Sequence, residues 1–165
     1  MMSRDGLAQR QSSPRLNGFD YSGCYAYSVT CCTNQKRPHF RQTEVVDETL
    51  RILAQVSGDH GFGIYAYCFM PDHLHILAVG EEWSSLPRFV RLFKQKSGFA
   101  FRRKCGLLLW QRSYYDHVLR KEELLRDVAL YILGNPVRKG LVEEYAMYPF
   151  SGSLLFNVES NAEWL

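Results

Sequence analysis

The sequence predicts an α+β sandwich, an antiparallel sheet of about four strands with helices packed on it. Three observations carry that prediction. Residues 65–79 contain two apolar, aromatic and β-branched runs joined by Pro71-Asp72, the signature of a β-hairpin. Residues 43–56, 86–104 and 122–134 repeat apolar positions at helical spacing. Strand-like and helix-like segments follow one another in the order β-α-β-β-α-β-α, with no internal repeat or linker between them. The first six elements are in the ferredoxin/RRM-like order.

The chain has 165 residues, enough for one domain with a hydrophobic core. Hydrophobic residues make up 46% and charged residues 22%, as in a soluble globular protein. Residues 1–20 are polar and read as a disordered arm without a signal-peptide core. The domain proper is expected over 21–153, with 154–165 as a tail. No apolar run reaches membrane-spanning length, so neither export nor a membrane partner is expected, and the cytoplasm is the expected location. The five cysteines form no CxxC pair and are expected as free thiols.

Residues 24–33 are rich in β-formers and read as the first strand. In the helix over 43–56, Thr43 is the expected N-cap and Ser57-Gly58 the stop. The hairpin follows. In the helix over 86–104, Leu86, Phe89, Val90 and Phe93 form one side, and Gly98 is expected to weaken or bend it. One or two strands are expected within 107–120. The last helix, over 122–134, begins with Glu122 and Glu123, where its dipole favours acids, and Gly134-Asn135-Pro136 ends it.

Charge is unevenly spread. Arg88, Arg91, Lys94, Lys96, Arg102, Arg103 and Lys104 place +7 on one helix with no acid among them, in a chain whose net charge is +3. Such a run is either a solvated helix face or the footprint of a polyanion contact.

In the second hairpin strand His73 and His75 stand two apart, so the pleat puts both imidazoles on one face. They can be metal ligands, a surface coincidence or half of an acid–base site, and coincidence is the commonest outcome for a bare His-x-His. His39, His60 and His117 are isolated, and His117 is expected to be hydrogen-bonded. Tyr131 falls at the border of the apolar face of the last helix, with Asn135 four residues on. A boundary aromatic and a C-terminal cap are their ordinary readings.

His73-Leu74-His75, preceded by Phe69-Met70-Pro71-Asp72 and followed by the blocks at 110–120 and 131–141, resembles the single-tyrosine HUH transposases. The REP-associated tyrosine transposases of bacteria are the nearest branch, and the resemblance runs over residues 22–153. It implies that the HUH pair lies on a central strand, with His73 and His75 as metal ligands. It implies Tyr131 as the nucleophile that cleaves single-stranded or hairpin DNA through a 5′-phosphotyrosine. Asn135 would supply an amide oxygen to the metal, where insertion-sequence relatives carry Gln. Mg2+ or Mn2+ is the implied cofactor, although histidine ligands alone favour zinc, copper or nickel. The implied partner is single-stranded or hairpin DNA, bound by a monomer or a homodimer. On this reading the seven basic residues of 88–104 line the DNA path, with Arg138 and Lys139 as further phosphate contacts and Tyr114 and Tyr115 as stacking candidates. A non-catalytic nucleic-acid-binding module and a water-using metal phosphoesterase are the alternatives.

Overall fold

A computed structural model describes residues 16–157. Five antiparallel strands form one sheet in the order β4-β1-β3-β2-β5: β1 Ala26–Cys32, β2 Phe62–Met70, β3 His73–Gly80, β4 Tyr115–Val118 and β5 Ser151–Gly152. The first four keep the ferredoxin-like order, with the histidine strand β3 central between β1 and β2. The two-residue β5 adds a fifth strand where the sequence shows no period, because its place is set by pairing with Tyr67 and Cys68. Most of the expected arm, residues 1–15, lies outside the described residues, as does 158–165 of the tail. Packing begins before Tyr21: Phe19 meets the Tyr21 and Tyr25 rings edge-on at 5.0 and 4.9 Å. At the other end Phe156 lies 5.5 Å from the Tyr65 ring.

Helices α1 (Thr43–Asp59) and α2 (Leu86–Cys105) cover one face of the sheet. Their buried residues Leu53, Val56, Phe89 and Phe93 pack with Val29, Leu74, Ile76 and Ala78 of the strands. Burial of such side chains contributes roughly 1.5–3 kcal/mol each. The start of α1 differs by one residue from the expectation: Gln42, not Thr43, is the N-cap, and the helix runs through Ser57-Gly58 to Asp59. Gly98 does not break α2. Trp110 packs beside it, with Cδ1 3.6 Å from where a Cβ would sit, an ordinary contact distance, and Trp110 Nε1 donates to Ser97 Oγ at 2.8 Å. The helix ends instead at Gly106, whose φ of +71° is the left-handed cap.

Helix α3 (Leu125–Leu133) lies on the other face of the sheet, where Ala129, Ile132 and Leu133 pack on Ala66, Cys68, Met70 and Leu77. It starts three residues later than the sequence predicts. Glu123 turns instead to His117 of β4 (Oε1 to Nε2 2.9 Å), and Asp127 is the acid in the first turn of α3. Helix α3 does stop at Leu133, with Gly134 as its C-cap, as the Gly134-Asn135-Pro136 signal predicts. The chain re-enters helix as the four-residue α4 (Asn135–Arg138), with Pro136 in its first turn where no N–H is needed.

Three of the thiols, Cys31, Cys32 and Cys68, are buried; Cys31 and Cys68 lie on opposite faces of the sheet, and burial pushes each of these two up to about 12. Cys24 and Cys105 are exposed. A thiol reagent at pH 8 should modify those two readily in the native protein, and all five only after denaturation. The same shift means that unfolding releases both buried protons near their ordinary value of 9. Stability should therefore decline as pH rises from about 9 towards about 12.

Candidate nucleic-acid-processing site

The parity of β3 decides where the histidines point. Leu74, Ile76 and Ala78 enter the core under α1 and α2, so His73, His75 and Leu77 face the α3 side. A register shift between Ile64 and Ala66 on β2 gives Ala66, Cys68 and Met70 the same orientation. The histidine face is therefore a grid of two cross-strand rows, Thr30–His75–Cys68 and Cys32–His73–Met70.

Both imidazoles are held from behind. Asp72 Oδ1 accepts from His73 Nδ1 at 2.5 Å, and Thr30 Oγ1 lies 3.0 Å from His75 Nδ1. Asp72 is itself anchored, because buried Thr33 donates both its backbone N–H and its hydroxyl to the Asp72 carbonyl at 2.9 Å. The two Nε2 atoms converge at 3.0 Å. Burial lowers the pKa of His73 despite Asp72, and burial together with His73, Arg138 and Lys36 holds His75 at about 3. Both rings are neutral at pH 7, and the His73–Asp72 contact is a hydrogen bond rather than an ion pair.

These features fit a divalent cation. Neutral imidazoles with carboxylate or hydroxyl support at Nδ1 are the usual presentation of metal-binding histidines. The observed 3.0 Å is an ordinary hydrogen-bond length that would also let both Nε2 atoms reach one small divalent ion. Among the described residues no group of three or more His, Cys, Asp or Glu could hold a metal, so further ligands would be amide, water or substrate oxygens.

Tyr131 is 63% exposed, farther out than the border position its spacing predicts, between buried Ala129 and Ile132. Arg138 reaches back from α4 to hold it. One guanidinium nitrogen donates to the Tyr131 carbonyl at 2.5 Å, and the guanidinium carbon sits 3.9 Å above the phenol ring. Gly134 permits this contact, since a Cβ there would stand 2.9 Å from Arg138 Nη1. The Arg138 charge also acts on His75 and Cys68, which ties the tyrosine helix to the histidine face. Asn135 is buried at the α3–α4 junction, and its amide nitrogen, not its oxygen, bonds to the Ile132 carbonyl at 3.1 Å.

The basic run does not join this face. Helix α2 lies on the opposite side of the sheet, and its cations divide. Arg88, Arg91 and Lys94 line an open groove of about 630 Å³ with Arg112 and Tyr114. Lys96, Arg103 and Lys104 line another of about 590 Å³ with Arg51 and Phe99, where Lys104 pairs with Glu48. Arg102 lines neither groove, and Tyr115 is the first residue of edge strand β4. Lys94 has a structural use: its Nζ donates to the carbonyls of Gln111, Arg112 and Ser113 at 2.6, 3.2 and 2.8 Å. Lys94→Met should cost about 2 kcal/mol in urea unfolding by stranding those carbonyls, a larger loss than removing either Arg88 or Arg91.

Sequence inspection missed Thr30, Lys36 and Asp72. Asp72 could have been found from its adjacency to His73. Thr30 and Lys36 reach the site only through strand register and loop geometry, which no local spacing reveals.

Comparison with known proteins places this architecture. The family model described as "Transposase IS200 like" matches residues 21–134. A Haemophilus influenzae protein assigned as a REP-associated tyrosine transposase is 27% identical over 150 residues, 81% of each chain. The REP-associated tyrosine transposase of Escherichia coli is 31% identical over 104 residues, 60% of this chain and 59% of that protein. Among solved structures, a REP-associated tyrosine transposase bound to a REP hairpin superposes with a TM-score of 0.66 at 23% identity, covering 84% of this chain and 81% of the other. Among the described residues no helix is long and apolar enough to cross a membrane.

Proposed function

The chain belongs to the IS200-like transposase family of DNA-processing enzymes, and on that premise we propose that it nicks and rejoins single-stranded or hairpin DNA through a covalent link to Tyr131. The observation that carries the reading is the shared face: the convergent His73–His75 pair and the Tyr131 helix lie on one side of the sheet, and the Arg138 that contacts Tyr131 also acts by its charge on His75.

In this reaction Tyr131 Oη bonds to the phosphorus and the bond from phosphorus to the 3′ oxygen breaks. The 5′ phosphate stays esterified to the tyrosine, the phenolic proton is lost to solvent, and the leaving 3′ oxygen takes up a proton. Reversal by another 3′ hydroxyl joins strands without ATP, because the ester conserves the phosphodiester energy. His73, His75 and the Asn135 amide oxygen would hold Mg2+ or Mn2+, which when bound supplies Lewis acidity to the scissile phosphate. For Asn135 to do so its oxygen must turn to the histidine face, and the Ile132 bond made by its nitrogen is compatible with that. Arg138 holds the phenol outward, where an unpaired strand can reach it. The reading takes hairpin DNA, which the structural relative binds, as the substrate class.

The test is to incubate the protein with labelled hairpin DNA and Mn2+ or Mg2+ and resolve the products under denaturing conditions. A covalent protein–DNA adduct is the expected result. Cleavage without an adduct would point to a water-using phosphoesterase, and binding without cleavage to a non-catalytic module.

A further inference from the structure

Lys36 lies in a loop that carries no motif, yet the fold brings it to the histidine face. Strand β1 ends at Cys32, whose cross-strand partner is His73, so both side chains leave the sheet on the same side. The chain then makes a single 3-10 turn, Asn34–Lys36, in which Gln35 and Lys36 both have φ of 56°. Left-handed geometry is unfavourable for a non-glycine residue, and such strain persists where the surroundings hold it. Here Asn34 N–H is tied to the Leu109 carbonyl and Thr33 to Asp72. The result is that Lys36 folds back over β1, with Nζ 3.3 Å from Cys32 Sγ. Its charge acts on both imidazoles.

A thiol is a weak acceptor for an ammonium. Among the described residues, Arg51 and Lys104 pair with Glu48 and His117 with Glu123, and Lys36 belongs to no such pair. The ammonium thus rests on a poor partner beside two convergent ring nitrogens.

From this juxtaposition we infer that Lys36 is a phosphate contact of the His73–His75 site, exchanging Cys32 Sγ for a non-bridging oxygen of a single-stranded phosphodiester. The inference rests on DNA being the substrate, as proposed above. Arg138 is the other strong cation near His75, but it is engaged with the Tyr131 carbonyl and ring. Lys36 gives up only a thiol and gains a charge-assisted hydrogen bond. The strained turn is what brings a lysine from outside the sheet to within reach of the scissile group.

The experiment measures binding of a hairpin oligonucleotide with a single-stranded flank over a salt series, in EDTA so that the DNA stays intact. Wild type, Lys36→Met and Lys36→Arg are compared, with thermal melts alongside. Lys36→Met should reduce the slope of log K against log salt by about 0.7, the contribution of one single-strand phosphate contact, without lowering the melting temperature. Lys36→Arg should retain the slope. An unchanged slope in Lys36→Met, or a loss in Lys36→Arg as large as in Lys36→Met, overturns the contact. The adduct assay on wild type is read separately. A missing adduct with the Lys36 slope effect present sinks strand transfer and leaves the contact standing; an adduct with no slope effect sinks the contact alone.

Discussion

Tyr131→Phe is expected to abolish the covalent protein–DNA adduct, a loss of about 10³-fold or more, while hairpin affinity stays within about threefold, under about 0.7 kcal/mol. The substitution is unusually clean at this position. Arg138 is bonded to the residue 131 carbonyl and stacked on its ring, and Phe keeps both the carbonyl and the ring. The side chain is mostly exposed, so no buried hydrogen bond is broken. What disappears is the hydroxyl alone. The check is a denaturing gel with labelled hairpin DNA and Mn2+, together with a binding titration. An adduct that survives in Tyr131→Phe would move the nucleophile to another residue. Tyr145 and Tyr148 are the next to test, since both pack beside the same apolar cluster as α3. Tyr148 is the weaker of these, because its hydroxyl is bonded to the Phe69 carbonyl at 2.6 Å and burial pushes it up to about 12.

Local pattern was enough to locate the hairpin, its Pro71-Asp72 turn and the side of β3 on which the histidines fall, because a strand's parity is set by its own apolar residues. The same reasoning failed where a long-range contact outweighed a local preference. Gly98 reads as a weak point or bend in its helix, yet α2 runs unbroken through it, with Trp110 bonded to the neighbouring Ser97. Glu123 reads as a helix-start acid, but His117 offers it a better partner. The basic run of 88–104 reads as one concentration of charge, yet helical rotation divides it between two grooves, and the 111–113 carbonyls engage Lys94. Arg138 reads as a phosphate contact past the tyrosine helix. Its contact with that tyrosine, which depends on the turn at Gly134, is invisible to spacing.

Removal of one imidazole should have the second large effect. His75→Ala is expected to weaken Mn2+ binding by more than about 100-fold, the upper range for loss of a supporting residue, measured by titration calorimetry on DNA-free protein. The hydrogen bonds around the pair explain why Thr30 should matter next. The Asp72 carboxylate only accepts, so His73 carries its proton on Nδ1 and presents a bare Nε2. The 3.0 Å contact between the two Nε2 atoms then requires His75 to donate from Nε2, leaving its Nδ1 to accept from the Thr30 hydroxyl. For both Nε2 atoms to hold a cation, the His75 proton would have to sit on Nδ1, and Thr30 would turn from donor to acceptor. A hydroxyl can do both. Thr30→Val keeps the shape but strands the Nδ1 proton in a buried place, so it should cost about tenfold in Mn2+ affinity, and Thr30→Ser should restore it. Equal affinity in wild type and Thr30→Val would show that His75 binds through another tautomer, and with it that the two Nε2 atoms do not share the ion.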